Sequence, residues 1–251
     1  MLPHTQMSTK LNATTKLLIR LIPVSLVIFL SSCLFKVPGQ YGFYQNQQGE
    51  THNHSQQKGQ HRFVDAEKWA KRFENPERDK WQKPDSVIAA LSLKGNEIVV
   101  DIGSATGYFP IRFAKMVTDG KVYGIDIEET MVDYLNDRAK QEGILNLKSI
   151  LGKPDNPLIP EDADIIFICD TYHHIENRVE YFSRLKNDFK PDGRLVIVDF
   201  VKGDIPVGPP DNMKLSEQVV ISELSEAGYK LSQEVELLPY QYFLIFRTNE
   251  Q

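Results

Sequence analysis

The stretch Glu-Ile-Val-Val-Asp-Ile-Gly-Ser-Ala-Thr-Gly-Tyr-Phe, residues 97–109, decides the fold that this sequence predicts. Its first half is a β-branched apolar run without polar alternation, which is typical of a strand buried on both faces of a parallel sheet. Its second half holds four small residues, Gly103, Ser104, Ala105 and Gly107. They allow a tight turn and a close approach of a ligand to the backbone. Pro110 then suits the first turn of a helix, whose free N–H groups attract an anionic group.

Two classes of ligand use such a turn. A dinucleotide fingerprint needs G-x-G-x-x-G, and Ala105 and Tyr108 stand at its second and third glycine positions. The run Asp-x-Gly-x-Ala-x-Gly from Asp101 to Gly107 instead resembles the first motif of class I S-adenosylmethionine (SAM)-dependent methyltransferases, usually D-x-G-x-G-x-G. The resemblance implies that the turn holds the methionine end of SAM. Since Ala adds little bulk at the middle glycine, we expect SAM binding to be retained.

The rest of the chain predicts an α/β fold. Strands are predicted at 122–125, 147–151, 164–169 and 194–199, with helices between them, including one at 130–141 and one that a capping box of Asn177 and Glu180 would open. Lys190 to Gly193 are predicted to form the turn before the last of these strands. A helix at 215–227 and an antiparallel pair at 231–237 and 242–246 complete the chain. Together with the resemblance, which covers residues 63–247, this predicts a Rossmann-like methyltransferase fold: a doubly wound, mostly parallel sheet with a C-terminal antiparallel hairpin.

Two helices are predicted ahead of the first strand. One includes Phe63, Trp69 and Phe73 and ends at Pro76, and the other opens at Pro84. In class I methyltransferases a segment of this kind often lies over the cofactor site as a lid. Trp69 and Trp81 would then line a substrate pocket, or simply pack in the core.

Five further residues are predicted to bind the cofactor: Asp126, Ile127, Asp155, Asn156 and Asp170. Asp126 follows the second strand, where an acid can accept hydrogen bonds from both hydroxyls of a ribose; Ile127 is its neighbour. The resemblance implies an acid or amide in the loop 152–160 for the adenine amino group. Asp155 and Asn156 fit this role or that of ordinary turn residues. Asp170 ends the fourth strand, at the same edge as the first turn.

The catalytic candidates are His173, His174 and Tyr172, directly after the fourth strand. A histidine can deprotonate or orient a methyl acceptor at neutral pH, and Tyr172 would wall the pocket. Alternatively these side chains only pack against the cofactor or cap the next helix. Cys169 is interpreted as a small core residue rather than a nucleophile. No metal site is predicted, because His52, His54 and His61 are unevenly spaced in a polar stretch.

Residues 1–32 are interpreted as a signal peptide. Lys10, Lys16 and Arg20 precede an apolar run that is short for a bilayer span. The run Leu-Ser-Ser-Cys, ending at Cys33, resembles the lipobox of bacterial lipoproteins, which implies lipidation of Cys33. An uncleaved anchor and a later start at Met7 are the alternatives. Residues 33–62 are predicted to be a flexible linker, and residues 63–251 the methyltransferase domain.

Composition and charge narrow the partners. Without residues 1–32 the chain has 26 basic and 34 acidic residues, a net charge of −8, which argues against a nucleic-acid substrate. The absence of an Asn-Pro-Pro-aromatic motif and of a cysteine cluster weakens amide-nitrogen, adenine and arsenic acceptors.

The predicted function is therefore a SAM-dependent methyltransferase of a small-molecule or lipidic acceptor, anchored to a membrane by an N-terminal lipid. An NAD-dependent oxidoreductase and a catalytically silent cofactor-binding or scaffold protein remain as alternatives. A functional lipobox would place the domain outside the cytoplasm, whereas SAM is made and kept inside. A segment that is not a functional signal would leave the domain cytoplasmic. The sequence leaves the oligomeric state open.

Overall fold

The computed structural model of this protein describes residues 65–249. The predicted signal peptide, Cys33, the linker and Phe63 lie outside the described residues. The helices of the described part are Ala66–Phe73 (α1), Pro76–Gln82 (α2), Pro84–Ala90 (α3), Pro110–Met116 (α4), Glu129–Gln141 (α5), Arg178–Leu185 (α6) and Glu217–Glu226 (α7). The strands are Ile98–Ile102 (β1), Lys121–Asp126 (β2), Leu147–Leu151 (β3), Ala163–Cys169 (β4), Phe189–Phe200 (β5), Tyr229–Glu234 (β6) and Gln241–Thr248 (β7).

These strands form one sheet in the order β3-β2-β1-β4-β5-β7-β6. The first five strands in that order are parallel, and β7 runs antiparallel to both β5 and β6. The predicted α/β fold with its antiparallel C-terminal hairpin is thus confirmed. The chain crosses from β1 to β2 and β3 on one side, and then to β4 and β5 on the other. This reversal opens a crevice at the carboxyl ends of β1 and β4, where ligands bind in such sheets.

The sheet is covered by helices on both faces, which explains the unbroken apolar run of β1. Val99 packs into a core with side chains of α3, α4 and α5, such as Phe113 and Leu135. Its neighbour Val100 packs into a second core with side chains of α6 and α7, such as Phe182. Because successive side chains of a strand point to opposite faces, a strand between two helical layers needs apolar residues at every position.

Three local predictions differ from the structure. Pro76 ends α1 as predicted, but it also opens α2, where the Asn75 side chain accepts a hydrogen bond from the N–H of Glu77 at 2.9 Å. The predicted capping box is wrong: Asn177 adopts φ +47° and makes no side-chain cap, and Glu180 pairs with Arg184 instead.

The predicted turn from Lys190 to Gly193 is also wrong, because these residues lie within the twelve-residue strand β5. Asp192 has φ +65° there, and the pairing of β5 with β4 shifts register between Ala163 and Ile165. A Pro-Asp-Gly sequence can therefore form an irregularity inside a strand as well as end one.

Candidate active site

The glycine-rich turn after β1 is fastened to the end of β2. The N–H groups of Gly103 and Ser104 both donate to the carbonyl of Ile125, at 2.8 and 3.1 Å. The Asp126 carboxylate accepts the N–H of Ala105 at 2.9 Å through one oxygen and that of Glu128 at 3.0 Å through the other. The two strongest cofactor predictions, the turn and the acid, are therefore in direct contact.

Close packing makes glycine necessary at position 103. Gly103 has φ +81°, and a Cβ there would lie 2.2 Å from Oγ1 of Thr171. The first turn thus packs directly against the segment that follows β4. The turn also contains a non-glycine residue in the left-handed region, since Ala105 has φ +44°.

Three carboxylates gather where β1, β2 and β4 end. Asp101 is 3% exposed, and burial raises its pKa to about 8, with Arg78 lowering it and Asp126 raising it. Burial likewise raises the pKa of Asp170 to about 6, although Arg78 opposes this shift. Burial also raises the pKa of Asp126. An edge lined with carboxylates is complementary to the ribose hydroxyls and cationic groups of SAM. The two backbone bonds of Asp126 leave acceptor capacity on its oxygens, so the residues present fit the nucleoside.

The segment of α1 and α2, residues 65–82, crosses this edge as a strap held mainly by polar contacts. Among its helical residues only Ala66, Ala70 and Gln82 are buried. Glu74 accepts the Thr106 hydroxyl at 2.8 Å and pairs with Arg138 at 2.8 Å.

Further along the strap, Asp79 accepts the Tyr108 hydroxyl at 2.5 Å. The predicted pocket tryptophans also lie on the strap: Trp69 stacks on Phe73 of its own helix, and Trp81 packs against Phe200 with ring centroids 5.8 Å apart.

Four strap and sheet residues close a polar ring, which we define as Arg78, Gln82, Gln241 and Asp170. Arg78 Nη2 donates to Gln82 Oε1 at 3.2 Å and to Asp170 Oδ2 at 3.1 Å. Gln82 Nε2 donates to Gln241 Oε1 at 2.7 Å, and Gln241 Nε2 donates to Asp170 Oδ1 at 2.5 Å. The Arg78 guanidinium also lies 3.9 Å above the ring of Tyr108. The polar ring joins the strap to the ends of β4 and β7.

His173 forms a buried acid–base pair with Asp199, a residue that the sequence interpretation missed. Its Nδ1 lies 2.9 Å from both carboxylate oxygens, and its backbone N–H donates to Oδ2 at 3.3 Å. The side chains are 3% and 2% exposed. Burial alone would lower the pKa of His173, but the hydrogen bond and the charge of Asp199 outweigh it, and the pKa is raised. Asp199 ends the predicted fifth strand, so its position at the ligand edge was the available signal.

The other predicted site residues lie in different surroundings. Tyr172 is fully buried, its ring stacks on Phe182 and its hydroxyl donates to Glu223 at 2.9 Å, so it lies in the core rather than on a pocket wall. His174 is exposed, with its ring 4.1 Å from that of His173. The Ser104 side chain is buried and turned toward Gly124.

The remaining cofactor candidates, Ile127 and the adenine candidates Asp155 and Asn156, lie on the surface near the ends of β2 and β3. Ile127 is 45% exposed. Asp155 and Asn156 lie in an exposed loop, where Asn156 Oδ1 accepts the N–H of Leu158 at 2.9 Å. The geometry of this loop leaves Asp155 available to a ligand.

Cys169 is buried and reduced, and burial raises its pKa well above the usual range. Within residues 65–249, no group of three or more His, Cys, Asp or Glu side chains is arranged to hold a metal ion. The same part of the chain contains no helix long and apolar enough to cross a bilayer.

A parallel sheet with a glycine-rich turn bonded to an acid at the end of β2 defines a nucleoside-binding, Rossmann-like α/β protein. Residues 93–236 match the family described as methyltransferase domain, and the chain belongs to that family.

Solved and curated relatives agree with this assignment. The chain is similar to a SAM-dependent methyltransferase structure from Aquifex aeolicus, with a TM-score of 0.68 and 29% identity, covering 72% of this chain and 97% of the other. It is 29% identical over 127 residues to 27-O-demethylrifamycin SV methyltransferase of Amycolatopsis mediterranei, covering 49% of this chain and 46% of the relative. It is 28% identical over 123 residues to a ubiquinone/menaquinone biosynthesis C-methyltransferase of Hydrogenovibrio crunogenus, covering 48% of each. The chain thus spans about half the length of these two curated relatives.

Proposed function

We propose that this protein is a SAM-dependent methyltransferase that methylates a hydroxyl group of a small-molecule or lipidic acceptor. The observation that carries the proposal is the buried pair of His173 and Asp199 beside the acid-lined glycine turn. Membership of the methyltransferase family supports the cofactor, and the acid–base pair supports an acceptor that must lose a proton.

The cofactor would be held by the residues at the carboxyl ends of β1 and β2. Asp126 is suited to the ribose hydroxyls, and the turn around Gly103 and Asp101 to the methionine end, with Ile127 and Asp155 toward the adenine. When bound, SAM would supply a methyl group bonded to a positively charged sulfur, which would leave as a neutral thioether with the electron pair of the broken S–C bond. The protein gains most by holding the acceptor in line with that methyl group.

His173 would act as the general base. With the Nδ1 proton donated to Asp199, Nε2 carries a lone pair that can take the acceptor's O–H proton as the oxygen bonds to the methyl carbon. Asp199 keeps the imidazole in this tautomer and stabilises the imidazolium that forms. A positioned base of this kind contributes about 10²–10⁴-fold in rate. His174, which is exposed, is the less favoured neighbour.

The names of the relatives leave the acceptor atom open. One is named a C-methyltransferase, and the other is named for the substrate 27-O-demethylrifamycin SV. The buried acid–base pair favours oxygen, because a hydroxyl is a weak nucleophile until its proton is removed. A small or lipidic acceptor also suits the net negative charge of the chain.

Calorimetry with SAM, S-adenosylhomocysteine and NADH tests the cofactor, and turnover of labelled SAM tests the reaction. We expect SAM and its demethylated product to bind and NADH not to bind. His173→Ala should lower turnover by at least tenfold at unchanged SAM affinity, whereas the control His174→Ala should change it little. Binding of NADH without SAM would support the oxidoreductase, and SAM binding without turnover in any acceptor screen would support the silent cofactor-binding protein.

We further propose that Cys33 becomes the lipidated N-terminus of a membrane-anchored protein whose domain lies outside the cytoplasm. The charged, apolar and small-residue order of residues 1–32 supports this. Mass spectrometry of the mature protein tests it: an unmodified terminus at Met1 or Met7 would contradict it. Protease accessibility in intact cells tests the side of the membrane.

A further inference from the structure

Tyr242 lies beside the acid–base pair. In the antiparallel ladder of β5 and β7, Tyr242 is directly opposite Asp199. Residues directly opposite each other in such a ladder project from the same face, with Cβ atoms about 4.5–5.5 Å apart. Because Asp199 projects toward His173, the Tyr242 side chain extends along the same side of the sheet, next to the pair.

The hydroxyl of Tyr242 has no hydrogen-bond partner within residues 65–249, although the residue is only 5% exposed. Two other buried tyrosines of that core do have partners: Tyr172 donates to Glu223, and Tyr229 donates to the carbonyl of Phe182 at 3.0 Å. An unsatisfied buried hydroxyl destabilises the folded state, because it gives up its hydrogen bonds to water without a replacement. When a native structure retains such a hydroxyl, a bound ligand or a water molecule is the expected hydrogen-bond partner.

Two further buried hydroxyls without partners, those of Ser104 and Ser149, do not share this setting. Ser104 packs against Gly124: a Cβ added at Gly124 would lie 2.9 Å from the Ser104 hydroxyl oxygen. Ser149 lies on β3, which is separated from β4 by two intervening strands of the sheet. Of these three, Tyr242 alone stands beside a base.

The chemistry of the phenol defines what it can recognise. Burial is the largest cause that raises the pKa of Tyr242. Electrostatic interactions with Asp199, Tyr172, Asp170 and Glu217 raise it further, so the phenol keeps its proton and acts as a hydrogen-bond donor. It therefore complements a lone pair on an uncharged or anionic group. No hydrogen bond within the described residues engages Nε2 of His173 either.

We propose that Tyr242 is an acceptor-positioning residue, whose hydroxyl donates a hydrogen bond to the oxygen that is methylated while His173 takes that oxygen's proton. The inference rests on the proposed function and narrows the substrate class to phenols and other hydroxyl compounds whose oxygen can accept one hydrogen bond and donate another. An ammonium acceptor, which has no lone pair, does not fit.

The test uses 4-nitrophenol as the probe, titrated by its absorbance into the full-length protein saturated with S-adenosylhomocysteine. We expect saturable binding of 4-nitrophenol. Tyr242→Phe should weaken it about tenfold, the order of one hydrogen bond to an ionisable oxygen. Nitrobenzene, which lacks the hydroxyl, should bind equally to both proteins. The control Tyr181→Phe removes the hydroxyl of another buried tyrosine, on α6, and should leave the binding of 4-nitrophenol unchanged.

A second measurement does not depend on the probe. Because the Tyr242 hydroxyl has no partner within residues 65–249, Tyr242→Phe removes only an unsatisfied group. The free energy of unfolding of this variant should therefore equal or exceed that of the unsubstituted protein. A loss of stability, equal binding of 4-nitrophenol by both proteins, or no binding at all would overturn the role of Tyr242. SAM binding and turnover of labelled SAM, measured separately, would still decide the proposed function.

Discussion

Ala105 stands where the usual pattern of the turn has its middle glycine, and its backbone conformation allows a quantitative prediction. At φ +44° it lies in the left-handed region, which costs an L-residue about 1–2 kcal/mol. Glycine avoids this strain but loses about 0.5–1 kcal/mol more in chain entropy on folding. The residue is half-exposed, so little apolar burial is lost with the methyl group. Ala105→Gly should therefore stabilise the protein by about 0.5–1 kcal/mol, or about 1–4 °C in Tm.

Two controls separate strain from general effects of glycine. Ala89 is exposed in α3, and Ala89→Gly should destabilise the protein by about 1 kcal/mol. Ser92 is exposed at φ +50°, and Ser92→Gly should stabilise it as Ala105→Gly does. Urea unfolding of the three variants is the assay. SAM affinity of Ala105→Gly should stay within about twofold, because the N–H that Asp126 accepts is kept. A loss of stability in Ala105→Gly similar to that of Ala89→Gly would refute the reasoning.

Three further predictions concern the carboxylates and the polar ring. Asp126→Ala should reduce SAM affinity about tenfold to a hundredfold in calorimetry, since hydrogen bonds to a carboxylate contribute about 1.5–3 kcal/mol; the exposed Asp133→Ala is the control. Asp101, with its pKa raised to about 8, is mostly protonated at neutral pH. A bound cation favours its charged form, so SAM binding should release a proton and tighten as pH rises toward 8; buffers of different ionisation enthalpy measure this, and Asp101→Asn should abolish it. Gln241→Leu should lower the unfolding free energy by about 1–3 kcal/mol by leaving the Gln82 amide buried without its partner, and unchanged urea unfolding would contradict that.

Much of the sheet could be predicted from the sequence because its signals are local. The apolar run of β1 and the small residues after it are adjacent in the chain, and the acid Asp126 directly follows the apolar residues of its own strand, β2. Because parallel strands bring their carboxyl ends to one edge, the sequence alone predicts that Asp101, Asp126 and Asp170 lie close together. The predicted bounds of β3 and α5 agree with the structure to within one residue.

The contacts within the site could not be predicted, because they join residues far apart in the chain. Gln82 and Gln241 are separated by 159 positions, and each looks like an ordinary surface residue in its own segment. The end of the predicted fifth strand placed Asp199 at the ligand edge, but its pairing with His173, 26 positions away, could not be predicted from either segment alone. The local errors had a different origin. Pro76 can end one helix or open the next, and Pro-Asp-Gly can form a turn or an irregularity inside a strand, so tertiary packing decides which structure forms.

The attachment of the strap has a mechanical consequence. The chain enters the fold through α1 and α2, so a pull on residues before 65 acts first on Arg78 and the other polar contacts, whereas a pull at the end of β7 acts on a strand hydrogen-bonded along both sides. Segments with few buried apolar contacts are the first to open. Tension along the N-terminal segment would therefore uncover the cofactor edge while the sheet stays intact, so the lipid anchor proposed at Cys33 would couple movement of the anchoring surface to the opening of the site.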